Sequence, residues 1–95
     1  MDRQFGSFVW DAKKEEANIR KHGVDFETAA RAFKDPARKI FADEQHGRME
    51  DRLFCIGKVE GEILTVRFLY RDDKVRIFGA GSWRKGRRYY ESQGA

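Results

Sequence analysis

Ninety-five residues of 11.2 kDa, with a mean hydropathy of −0.81 and 38% charged side chains, leave room for one small domain and none for a second. Such a charge content leans toward disorder, but thirteen aromatic residues and a single proline lean harder toward a folded core. No apolar run is long enough to span a bilayer, Met1–Gln4 lacks the apolar stretch of a secretory signal, and the lone Cys55 excludes an internal disulfide, so a cytoplasmic protein is expected.

Residues 1–7 carry no periodicity and read as a flexible arm, leaving 8–95 as the folded domain. Phe8-Val9-Trp10 is a short strand candidate, and Asp11 is a good N-cap for a helix from Ala12 to His22 that stops at Gly23. The apolar face of that helix is thin, formed by Ala12, Ala17 and Ile19. Asp25 caps a second helix, in which Phe26, Ala29, Ala30 and Phe33 recur at helical spacing until Asp35-Pro36 ends it. From Pro36 the period switches to two. Arg38–Ala42, Arg52–Val59, Glu62–Tyr70 and Val75–Ala80 read as strands, with turns at Glu60-Gly61 and Arg71–Lys74. Ser82 can cap a last helix from Trp83 to about Ser92, although Gly86 weakens it. The expected fold is α+β: a helical hairpin packed on a largely antiparallel sheet of four to five strands, with a C-terminal helix.

The turns pair the strands and so sort side chains onto two faces. One face, with Leu53, Cys55, Gly57, Leu64, Val66, Phe68, Tyr70, Val75, Ile77 and Gly79, has no charge and must take the helical hairpin. The other holds Arg52, Phe54, Ile56, Lys58, Ile63, Thr65, Arg67, Leu69, Arg76, Phe78 and Ala80: four cations and no acid. Residues 67–95 hold eight basic and three acidic side chains, and this excess more than accounts for the net charge of +4. A basic face points to a polyanion, with Arg67 and Arg76 as phosphate ligands and Phe54 and Phe78 as stacking surfaces for bases. The plainer reading is an open sheet face whose arginines lie over Phe and Leu, but such a face normally mixes in acids.

Chemistry is concentrated at Arg20-Lys21-His22-Gly23. Two cations and an imidazole end the helix there, and an imidazole is the side chain suited to general acid–base catalysis near neutral pH. Taken alone, these residues need do no more than satisfy a helix end. His46, in a loop with Asp43, Glu44, Glu50 and Asp51, lacks metal-ligand spacing and reads as solvated. Gly81 and Gly86 have P-loop glycine spacing, but Arg87-Arg88 stand where its Lys-Ser/Thr is required. Cys55 falls on the core face as a small hydrophobe.

Phe8-Val9-Trp10-Asp11, Asn18-Ile19-Arg20-Lys21-His22-Gly23-Val24-Asp25-Phe26 and Phe33-Lys34-Asp35-Pro36, followed by Asp51-Arg52, Ile56-Gly57, Arg76-Ile77 and Tyr90-Glu91, resemble the BrnT family of ribonuclease toxins. The resemblance covers nearly the whole chain after residue 7. It implies a RelE-like fold and an endoribonuclease that needs no metal or other cofactor. It also implies a cognate antitoxin that neutralises the toxin and binds DNA as a repressor, with RNA as the substrate and no role for a membrane. Carried onto this chain, the chemistry assigns His22 as base or acid, Lys21, Arg67 and Arg76 as charge stabilisers, and Tyr90 or its neighbour Tyr89 as proton donor or stacking ring. Arg52, Phe54, Lys58, Phe78, Arg84 and Arg87 would bind the RNA. The chain departs from the family where many members read Ser-Ala-Arg, for it has Gly79-Ala80-Gly81, so that Arg84 or Arg87 would have to replace the missing arginine. A non-catalytic RNA- or DNA-binding module with the same basic face is the competing reading.

Overall fold

Two capping aspartates set the helical frame in a computed structural model that describes residues 1–43 and 51–93. Asp11, the last residue of strand β2 (Phe8–Asp11), accepts from the Lys14 N–H at 3.0 Å and opens α1 (Ala12–His22), which Gly23 ends in the left-handed region at φ 72°. Asp25 caps α2 (Phe26–Ala30) through the Thr28 N–H at 3.1 Å. The expected single second helix then tightens into a 3₁₀ turn over Arg31–Lys34, because Pro36 forces Asp35 into an extended conformation. Strands β3 (Lys39–Ala42), β4 (Leu53–Val59), β5 (Glu62–Arg71) and β6 (Lys74–Gly81) follow, and helix α3 (Arg84–Gln93) comes last.

The sheet is larger than expected and mixed. Asp2–Phe5, within the segment read as an arm, forms strand β1 and pairs antiparallel with β2 across Gly6-Ser7, where Gly6 supplies the positive φ of 62°. Strand β2 in turn pairs parallel with β6, at Phe8↔Val75 and Val9↔Arg76. The six strands lie in the order β1-β2-β6-β5-β4-β3. The β5–β6 turn is also tighter than expected: Arg71 pairs with Lys74, so only Asp72 and Asp73 turn, both at positive φ.

The expected register holds through β4–β5, including Phe54↔Arg67 and Ile56↔Thr65, and up to Phe68↔Ile77 in β5–β6. Beyond it a bulge makes Arg67 face Gly79 instead of Phe78. The extra residue reverses the expected facing of the next two positions. Ala80 joins the buried core beside Val66, and Gly79 lies under the Arg67 side chain.

The core face carries Trp10, Cys55, Leu64, Val66, Phe68, Ile77 and Ala80 against Phe26, Ala29, Ala30 and Ala32. The 3₁₀ turn lies directly on β4, and a Cβ at Gly57 would come within 2.3 Å of the Ala32 carbonyl oxygen. On the opposite face α3 lies flat over β5, where a Cβ at Gly86 would come within 2.0 Å of Thr65 Oγ1. Gly86, which reads in the sequence as a weak point of the last helix, is what lets that helix dock.

Helix α1 runs alongside the C-terminal half of β6, on the edge away from β5, beyond the point where β2 pairs with it. There the buried Asn18 behaves as a strand would. Its Nδ2 donates to the Ala80 carbonyl at 2.8 Å and its Oδ1 accepts from the Ala80 N–H at 3.1 Å. Nδ2 also donates to the Val24 carbonyl at 2.9 Å, tying in the chain after the helix. Ile19, expected on the inner face, is 44% exposed instead. The inward residue of this helix is an amide.

Candidate functional site

Anchoring α1 at Asn18 aims its other residues across the basic face. Lys14, Ala17 and Lys21 share one side of the helix by the three-and-four spacing, with His22 at its end. They meet Arg52, Arg67, Phe78, Gly79 and Trp83 around a cleft of about 340 Å³. Among the described residues no acid lines it.

Its floor is an arginine pair. The Arg52 guanidinium carbon lies 4.9 Å from the centre of the Phe78 ring, and that of Arg67 lies 5.2 Å from the same centre. Neither guanidinium forms a hydrogen bond or ion pair among the described residues. Two like charges held over one ring, with further cations from α1 opposite, make a prearranged site for an anion. Phe78 therefore holds the two guanidiniums and is not an open surface for a base. At the mouth, the His22 ring meets Trp83 edge to face, with centroids 5.0 Å apart and planes at 77°.

The structure thus brings together Lys21, His22, Arg52, Arg67 and Phe78 and adds Lys14 and Trp83. Lys14 was legible as seven residues ahead of Lys21, which is two helical turns. Other expected site residues lie elsewhere. Arg76 and Arg67 start from one sheet face, but the Arg76 Nη2 reaches Asp2 Oδ2 at 2.7 Å, in a separate hollow lined by β1. This hydrogen bond holds the Asp2 carboxyl below its ordinary range and raises Arg76. No sign of this partner shows in a segment without periodicity.

Tyr90 is also committed. Its hydroxyl donates to Asp35 Oδ2 at 2.6 Å, and Asp35 accepts as well from the Lys58 N–H at 2.7 Å and the Ala37 N–H at 2.8 Å. Partial burial pushes Asp35 up, but these hydrogen bonds outweigh it and hold the carboxyl below its ordinary range. The same bond raises the Tyr90 phenol. Lys58 lines a third hollow, with Arg31 and Lys34. Phe54 stacks on Phe41 at 5.2 Å and faces a groove beside α3, whose lining includes Lys85 and Arg88, while Arg84 and Arg87 are exposed on other sides of the helix. Burial pushes the Cys55 thiol up to about 12, which leaves it inert. The loop reading at His46 lies outside the described residues. Among the described residues no group of His, Cys, Asp and Glu could hold a metal ion, and no helix is long and apolar enough to cross a membrane.

A family model described as the ribonuclease toxin BrnT of type II toxin–antitoxin systems matches residues 10–86, a span that contains every residue lining the cleft. No curated protein matches the chain.

Proposed function

The chain belongs to the BrnT family of ribonuclease toxins of type II toxin–antitoxin systems, and from that premise we propose that the α1 cleft is the centre of a metal-independent endoribonuclease. The observation that carries this is the arginine pair over Phe78, in one cleft with His22, where Lys14 and Lys21 add to the positive charge and, among the described residues, no acid is present. Transesterification of RNA moves the 2′-hydroxyl proton to a base, forms the 2′-oxygen–phosphorus bond, and expels the 5′-oxygen, which takes up a proton. His22 is the base in this scheme. Arg52 and Arg67 hold the non-bridging oxygens as charge builds in the crowded phosphorane, which is the task otherwise given to a metal. Lys14 and Lys21 are the ammonium donors available to the departing oxygen. Tyr90, tied to Asp35, has a structural role in this scheme, and Arg76, tied to Asp2, is outside it.

Labelled RNA incubated with the protein in EDTA tests the proposal. Products ending in a 2′,3′-cyclic phosphate support it, and RNA retained without cleavage favours the binding module. In the first case His22→Gln is expected to lower the cleavage rate ~10²–10⁴-fold with RNA binding kept. A parental rate removes His22 from the chemistry. The partner fits the same electrostatics. An acidic segment of a cognate, DNA-binding antitoxin would neutralise the cleft and exclude RNA in one act. Antitoxin and RNA binding are therefore expected to be mutually exclusive in a cytoplasmic competition. A ternary complex with both held at full affinity would point to inhibition at a remote surface.

A further inference from the structure

Trp83 borders two concavities. One is the cleft, and the other is a groove of about 700 Å³ between α3 and β3–β4. We propose that Trp83 is a base-stacking residue, and that RNA held by its phosphate in the cleft lays the flanking nucleotide across this ring into the groove. The inference rests on the ribonuclease reading and adds a specificity-determining residue and a nucleotide subsite to it.

The Trp83 ring is held in place from two sides. The His22 ring packs edge to face on it, and a Cβ at Gly81 would come within 2.7 Å of its Cζ2. No side chain at 81 coexists with the ring where it lies. Its backbone is fixed too, since the Trp83 carbonyl accepts from the Arg87 N–H at 3.0 Å in the first turn of α3, and Gly86 seats that helix on Thr65.

The groove has the chemistry of a single-stranded nucleic-acid subsite. Phe41 and Phe54 stack at 5.2 Å, and Tyr89, 39% exposed, leans on Phe41 at 5.1 Å. Lys85 and Arg88 complete the rim, and among the described residues no acid lines the groove. Aromatic faces within reach of cations bind bases with little regard to sequence, and the volume suits a nucleotide-sized ligand. The arginine pair fixes the phosphate, and the continuous wall through Trp83 gives the next base its path.

The test uses the full chain, a cleavable single-stranded RNA and the same RNA blocked by 2′-O-methylation. Trp83→Leu is expected to raise KM, and the Kd of the blocked RNA, roughly 5- to 100-fold while kcat changes only a few-fold. Trp83→Phe, which keeps a ring beside His22, is expected to restore most of the affinity. The exposed pair Tyr89→Leu and Lys85→Glu reads the groove without disturbing the His22 contact, and each is expected to weaken blocked-RNA binding. Blocked RNA is also expected to quench the Trp83 emission, with the buried Trp10 as background. Parental affinity in Trp83→Leu, or a loss confined to kcat, overturns the proposal. So does a groove whose variants leave RNA binding intact but abolish neutralisation by the antitoxin. Quenching and variant effects in a chain that binds but does not cleave RNA uphold the subsite and overturn the enzyme reading instead.

Discussion

Phe78 shows how one side chain can organise a site without entering the chemistry. Its ring is shared by Arg52 and Arg67, so both guanidiniums are held about one ring without acidic partners that would blunt their charge. Each such contact near a surface is worth about 0.5–1 kcal/mol. Phe78→Leu is therefore expected to lower RNA affinity roughly 3- to 30-fold with the fold intact, read by binding of a blocked RNA. Unchanged affinity would show that the arginines hold their positions without the ring. Asn18 organises the site from the other wall through three buried hydrogen bonds. Asn18→Ala leaves Ala80 unpaired and is expected to cost about 2–4 kcal/mol, a fall in Tm of roughly 10–25 °C. A smaller loss in a thermal melt would mean that water enters and replaces the amide. The cationic residues were legible from alternation and turns, whereas Asn18 was not. A polar residue at an inward helical position carries no sign in the sequence that it completes a β-strand's hydrogen bonds.

Among the elements, the parts set by local rules were readable and those set by distant partners were not. Caps at Asp11 and Asp25 follow from the conformations those residues favour, and the two-residue turn at Glu60-Gly61, where glycine takes a φ of 85° readily, fixes the β4–β5 register. The bulge at Phe78-Gly79 and the parallel β2–β6 pair depend on non-local contacts. Gly6-Ser7 between Phe5 and Phe8 was a readable hairpin signal, hidden because β1 is polar and exposed on both faces. Asp35 joins three elements, the end of the 3₁₀ turn, β4 and α3. A carboxyl held below its ordinary value adds stability that is complete above about pH 4 and lost as the pH falls through the depressed value. The Tyr90 phenol, raised by the same bond, adds stability that is complete below about pH 10 and lost above it. Tyr90→Phe is expected to soften both limbs of a Tm–pH profile while leaving cleavage at neutral pH nearly parental. Loss of cleavage with an unaltered profile would return Tyr90 to the chemistry.

For the molecule as a whole, the decisive quantity is where its positive charge is free. The net +4 is modest, and Arg76, the cation that the strand pattern ranked beside Arg67, has its field cancelled by Asp2. Lys14, Lys21, Arg52 and Arg67 instead converge on one cleft. Counterion release makes log K fall with log salt at about 0.7 per phosphate contact on a single strand, so four such contacts give a slope near ~−3. Arg67→Ala is expected to lower RNA affinity and to make that slope shallower by about 0.7. Arg76→Ala is expected to leave both nearly parental and to lower Tm instead, since it releases β1 from β6. Titrations of blocked RNA at several salt concentrations, run beside thermal melts, separate the two arginines. If Arg76→Ala changes the slope as much as Arg67→Ala, then RNA competes successfully with Asp2 for that guanidinium. The binding face would then extend across β6 to the hollow lined by β1.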